Sequence, residues 1–230
     1  ISISAAEAET AFQQVVSNMN GAMGNRFLFA GMNSDRPPLI PADDILDLLE
    51  TVVAGQTTGA DVARLVADWF DAPTGGGGFM DHAYRGSDGG DRVLPIAEDK
   101  SVTTSVTAST TAIRDQLKGL AMSALVSRGV LSGNNQEQQH LLVAGGTVLL
   151  DSSAELVSQM GRIGLQEQTV AQAQAGNAAS IAMLTTLNNT LREADPATTA
   201  SAISEAETQL QALYSVTARL ANLNLVSYLR

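Results

Sequence analysis

Between Pro196 and the C-terminus, Ile203, Ala206, Leu210, Leu213, Val216, Leu220, Leu223 and Val226 recur in steps of three or four. That spacing lays them in one stripe on a single helix, ~50 Å long at ~1.5 Å per residue. Leu225, Tyr228 and Leu229 add a second apolar flank, and after Glu207 the only charges are Arg219 and Arg230. A helix of this kind is not stable alone in water and must bury its stripe. It either closes the core of its own chain or docks on another segment or subunit, and spacing leaves both open.

The preceding segment, from about Asn135 to Ala194, also predicts one long helix, with Gly145-Gly146 as a point where it could kink. Its residues Leu156, Met160, Ile163, Glu167, Val170, Gln174, Asn177, Ile181, Leu184, Asn188 and Leu191 alternate steps of four and three. This is coiled-coil seam spacing. Glu167, Gln174, Asn177 and Asn188 are polar, which suits either a register-fixing seam or a bundle helix with a wet centre. Asp195-Pro196 predicts the break before the last helix, with Pro196 as its first residue.

Upstream the pattern is more mixed. Ser4 to Met23 predicts a helix, with Ser4 and Glu7 as a capping pair and Phe12, Val15, Val16 and Met19 on its apolar face. Arg26 to Gly31 is a short apolar strand or turn. After the Pro37-Pro38 to Pro41 linker, two short amphipathic helices are expected. One spans Asp43 to Val53, the other Thr58 or Gly59 to Phe70. Gly75 to Gly78 suggests a hinge. Phe79–Tyr84, Arg92–Ile96 and Ser101–Thr107 suggest strands, with Ser87 to Gly90 as a turn. Thr110 to Ser127 is again helical. The expected class is therefore mainly α: a long helical rod or coiled-coil-like bundle with a small β-rich patch and a short helical insertion. Four segments follow: 1–33, 34–108, 109–194 and 195–230.

Composition narrows the function classes. The formal net charge of −11 opposes phosphate backbones and anionic lipid, so neither nucleic acid nor a membrane surface is an expected partner. The charge-free apolar run Leu141 to Leu150 is too short to span a bilayer. With no cysteine in the chain, thiolate metal sites and disulfides are excluded. No cleavable signal peptide is recognisable, and the start at Ile1 suggests a fragment.

Catalytic chemistry finds little to stand on. His82 and His140 are the only histidines, far apart in sequence, and Asp81-His82 would be half a site at most. Asp88 to Asp91 lacks the spacing of a calcium loop and reads as a solvated turn. Gly75 to Gly78 is not followed by Lys-Ser/Thr, so it does not predict a phosphate cradle. Asp43-Asp44 suit the positive end of the helix they open. Neither an enzyme nor a cofactor is expected. An exposed binding module carried on a helical stalk is a separate possibility for residues 38–107.

Three stretches carry a resemblance. Ser201 to Leu229, with its Gln-Leu-Gln-Ala, Ala-Arg-Leu and Tyr-Leu groups, resembles the C-terminal helix of the flagellin superfamily, in particular its hook–filament junction proteins (hook-associated protein 3). Arg26, Phe27, Leu28, Phe29, Ala30 and Gly31 resemble that family's turn. Tyr84-Arg85-Gly86, followed by Ala112 to Met122, is similar to it in the same order. The resemblance implies the C-terminal two-thirds of a structural flagellar subunit, exported without a cleavable signal through the type III apparatus and assembled outside the cell. It implies an inner-tube assembly helix (Ile203, Leu210, Leu213, Val216, Leu220, Leu223, Leu225, Val226, Tyr228, Leu229) and a rod seam (Leu156, Met160, Ile163, Val170, Ile181, Leu184, Leu191). Residues 34–108 would project outward. Implied partners are homologous subunits in a ring, a neighbouring hook-associated protein, flagellin and an export chaperone. The Leu229-Arg230 ending is similar to filament flagellin, which stands as the alternative.

Overall fold

The computed structural model describes residues 2–87, 92–97, 100–104, 106–192 and 195–228. In chain order these form α1 (Ser2–Met19), β1 (Ala22–Met23), β2 (Arg26–Phe27), α2 (Ala42–Val52), α3 (Gly59–Asp71), α4 (Phe79–His82), β3 (Arg92–Ala97), β4 (Lys100–Thr104), α5 (Thr111–Ser127), α6 (Asn135–Arg192) and α7 (Pro196–Tyr228). The fold is mainly helical, with two small antiparallel hairpins, β1–β2 and β3–β4. Contacts divide the chain into two units, Ile1–Ala173 and Gln174–Arg230, and the boundary falls inside α6.

The core of the first unit is built where four amphipathic helices meet. α1 contributes Phe12 and Val16, α2 Ile45, Leu46 and Leu49, α3 Val62, Val66 and Phe70, and α5 Leu117, Ala121 and Leu125. α2 and α3 therefore share one core with α1 and α5. Within 34–108 the helical part is packed, whereas β3 leaves Val93 and Leu94 in solvent. Four of the nine aromatic residues form one cluster. Phe70 and Phe79 stack with centroids 5.4 Å apart, Trp69 meets Phe70 edge-on at 5.0 Å, and Tyr84 stacks on Phe79. Such pairs add to the stabilisation from burial alone.

Local side-chain chemistry marks the starts of α3, α6 and α7. The Thr58 hydroxyl accepts from Asp61 N–H at 3.1 Å and caps α3. Asp195 opens α7 as expected: its carboxylate accepts from Ala197 N–H at 3.0 Å and its carbonyl from Thr199 N–H at 3.0 Å. Asn134 accepts from Glu137 N–H at the start of α6 (3.3 Å).

Several expectations are corrected. α1 already runs at Ser2 and ends at Met19, so Ser4 is not its cap. Phe79 to Tyr84 is not a strand: α4 is a helical turn that buries Phe79, and Tyr84 makes only an isolated bridge to Leu39. β4 stops at Thr104, short of the expected Thr107. Of the expected Ser87–Gly90 turn, residues 88–90 lie outside the described residues.

The glycine run is not a free hinge. The Asp81 carboxylate accepts from Gly75 N–H (2.8 Å) and Gly77 N–H (2.6 Å), closing the loop on itself. Gly75 and Gly77 have φ of +86° and +76°, which glycine adopts without strain.

α6 runs unbroken through Gly145-Gly146. Gly145 serves another purpose, as a point of close approach to α5. A Cβ at Gly145 would stand 2.7 Å from Gly119 O, and one at Gly119 would stand 2.8 Å from Gly145 O. Beside this contact, Gln116 Nε2 donates to Ser152 Oγ at 2.8 Å, and Gly59 N–H donates to Glu137 Oε2 at 2.7 Å.

Candidate assembly surface

Two polar clusters join elements of the first unit. Arg128, at the C-cap of α5, reaches Glu9 Oε1 (3.0 Å) on α1, and Asp43 Oδ1 (2.9 Å), Asp47 Oδ1 (2.6 Å) and Glu50 Oε1 (3.3 Å) on α2. Burial disfavours its charge, but hydrogen bonds to Asp47, Glu9 and Glu50 outweigh this and raise its pKa above the usual arginine value. Lys118 is 7% exposed and sits between Asp71 and Asp115, with Nζ–O distances of 2.8 Å to each. Neither cluster is visible in helical periodicity, because each joins elements distant in sequence.

Several other polar side chains have partners within the first unit. A cleft lined by Asp71, Pro73, Thr74, Met80, Ser109 and Arg114 has its carboxylate paired with Lys118. Arg114 Nη1 there donates to Phe70 O at 3.1 Å. The Asp81 carboxylate, held by the Gly75 and Gly77 amides and beside His82, has its pKa lowered. His140 Nδ1 lies 3.6 Å from Glu137 Oε2. Among the described residues no three His, Asp or Glu side chains gather as a metal site.

The notable surface lies along α6 and α7. In the first unit, α6 covers one stripe: Ser152 and Ala173 are buried, and Leu156, Gln159, Gln166 and Val170 are partly covered. Ile163, at 37% exposure, falls in the same row. These positions step by four and three, but they share only Leu156, Ile163 and Val170 with the predicted seam. Gln159, Gln166 and Ala173 replace Met160, Glu167 and Gln174. Gln166 Nε2 donates to Thr103 O of β4 at 2.7 Å, a polar contact that hydrophobic spacing could not anticipate. Met160 is left exposed.

In the second unit, the predicted residues Ile181, Leu184 and Leu191 on α6, and Ile203, Leu210, Leu213, Val216 and Leu220 on α7, are between 52% and 86% exposed. From Pro196 to Ala221 every residue of α7 is exposed. Sequence spacing missed Met183, Leu187 and Tyr214, which are also exposed and widen the apolar surface. Leu187 lies three residues after Leu184 and four before Leu191, so it offers an all-leucine register in place of Asn188. Leu223, Leu225, Val226 and Tyr228 lie on the α7 backbone, and Leu229 falls outside the described residues.

The stretch Asn135–Ala221 also contains an 18-residue window of mean hydropathy 1.4, long and apolar enough by length and composition to cross a membrane. The shorter run Leu141 to Leu150 alone does not meet that length.

The turn residues are placed together. Arg26 and Phe27 form β2, with Arg26 Nε donating to Ser34 Oγ at 3.2 Å. Phe29 O accepts from Ala108 N–H at 2.9 Å, Leu28 is exposed, and Gly31 has a φ of +62°. The segment thus ties the end of α1 to the start of the α5 region. Comparison with protein-family models, with curated proteins and with solved structures finds no match for this chain.

Proposed function

We propose that this chain is a structural subunit of the bacterial flagellum, of the kind that joins hook to filament, and that it assembles through α7 and the distal part of α6. One observation carries this reading: the first unit closes a core around α1, α2, α3 and α5, while the apolar stripe of α7 stays in solvent over all its described side chains. A stripe of that length exposed to water favours association. The ordered resemblances at Arg26–Gly31, Tyr84–Met122 and Ser201–Leu229 direct it towards a flagellar polymer. The exposed seam residues on α6 would pair in coiled-coil fashion with helices of neighbouring subunits. The protein acts outside the cell, without catalysis or cofactor, and its partners are homologous subunits in a ring, an adjoining hook-associated protein, flagellin and, before export, a chaperone.

Deleting the gene in a motile bacterium that carries it tests this directly. Cells with hooks but no filaments, and with flagellin released into the medium, are the expected result. Normal filaments on the hooks would reject the junction role. Loss of flagellin itself from the medium would favour filament flagellin instead.

A further inference from the structure

Asn20 follows the last residue of α1 and precedes Gly21. Its carboxamide clamps both backbone polar groups of the buried residue Leu39. Asn20 Oδ1 accepts from Leu39 N–H at 2.9 Å, and Asn20 Nδ2 donates to Leu39 O at 3.0 Å. The side chain thus stands in for a strand neighbour of Leu39, which bridges Tyr84 as well. Around that bridge, Ile40 N–H donates to Ala83 O and Arg85 N–H to Pro38 O, so the clamp helps fix a strap across the core. Gly21 N–H donates to Asn18 O at 3.0 Å.

An asparagine followed by glycine can react with its own backbone, because glycine has no side chain to hinder the approach. Gly21 N gives up its proton and bonds to Asn20 Cγ. Ammonia leaves and a five-membered imide closes. Water then opens the imide at either carbonyl, giving aspartate or isoaspartate at position 20. The net change is carboxamide plus water to carboxylic acid plus ammonia, with no oxidation or reduction.

We infer that Asn20-Gly21 is a self-modification site, held unreactive by the Leu39 clamp and, once reacted, unable to restore it. In the folded chain both reacting groups are occupied. Cyclisation requires the Asn20 amide to turn out of its pairing with Leu39, losing two hydrogen bonds, and Gly21 N–H to leave Asn18 O. After reaction, the ionised side chain has only acceptors. An oxygen would then replace Nδ2 opposite Leu39 O with no hydrogen between them, an arrangement that costs the pairing outright. A passing opening of the strap is thereby converted into a permanent one.

The test incubates the full chain at mildly alkaline pH, with and without enough urea to unfold it, and follows the Asn20 peptide by mass spectrometry, counting both acid products. Conversion is expected to be at least about tenfold slower in the folded chain, since reaction must await local opening. Asn18 and Asn25, followed by Met19 and Arg26, serve as internal controls that stay unconverted. Equal rates in the two conditions would overturn the gate, and no conversion in urea would overturn the site. In a second arm, Asn20→Asp is expected to speed amide exchange at Leu39 by at least about tenfold. Unchanged protection of Leu39 would overturn the claim that the product cannot restore the clamp.

Discussion

Arg128 Nη1 lies 2.6 Å from Asp47 Oδ1, fastening the end of α5 to the middle of α2. The same guanidinium serves Glu9, Asp43 and Glu50, so one side chain joins three helices. Its planar fork of donors permits this.

Arg128→Ala is expected to lower stability by about 1–2 kcal/mol, because the carboxylates left behind are partly exposed and can rehydrate. Arg128→Lys should recover only part, since an ammonium cannot reach four carboxylates in that geometry. Urea unfolding followed by circular dichroism measures both, and an unchanged midpoint in Arg128→Ala would refute the clamp. The raised pKa of Arg128 means its contribution is fully present below the unfolded arginine value and is lost only as pH rises past the folded one. From the arginine side, the difference between wild type and Arg128→Ala should therefore hold from neutral to moderately alkaline pH.

Gly145 and Gly146 should respond in opposite directions to the same substitution. Alanine at Gly145 would press its Cβ on Gly119 O at 2.7 Å, and prying two packed backbones apart costs about 1–3 kcal/mol, more than the helix propensity gained. Alanine at Gly146 meets nothing within 4 Å, so stability should rise by about 0.5–1 kcal/mol. Thermal melts of the two variants decide it, and equal shifts would show that the close approach does not matter.

Asp81 closes the glycine loop only while ionised. Its folded pKa is lowered, so the contribution is present above the unfolded aspartate value and fades as pH falls through the folded one, below the usual carboxylate range. Asp81→Ala should leave the Gly75 and Gly77 amides unpaired at neutral pH. Limited proteolysis should then cut the variant in this loop faster than wild type, and wild type itself should become sensitive only in strong acid. Cleavage at the same rate in both proteins would rule out the closure.

Substitutions on the α7 stripe should separate assembly from folding. Leu213→Asp is expected to leave the unfolding of the first unit unchanged, because Leu213 is 64% exposed. Under the proposed flagellar role, it should abolish incorporation into flagella. Phe70→Ala, in the core, should instead cost about 3–5 kcal/mol. A loss of stability in Leu213→Asp comparable to that would contradict the exposed placement.

Long-range periodicity carried most of the fold. α2, α3, α5, α6 and α7 were legible because each writes its buried face, caps or breakers into neighbouring residues. Phe79–Tyr84 misled because a four-residue helix is too short to display a period, and its Phe79 and Tyr84 look equally suited to a strand. The Gly75–Gly78 closure was invisible for a different reason: a carboxylate following the run holds its amides, and no apolar spacing encodes that. The α6 stripe was half legible. Leu156, Ile163 and Val170 fit either period, but the covered row turns towards Gln166 because Thr103 O supplies a partner from another element. On α7 the apolar pattern was complete, yet it could not say whether water or protein faces it.

The closure of the core without α7 has a consequence for how this chain can vary. Side chains beyond Ala173 that fill no cavity in the first unit can change without endangering its folding. Drift, selection or design can therefore rewrite that surface, while the core of the first unit is constrained residue by residue.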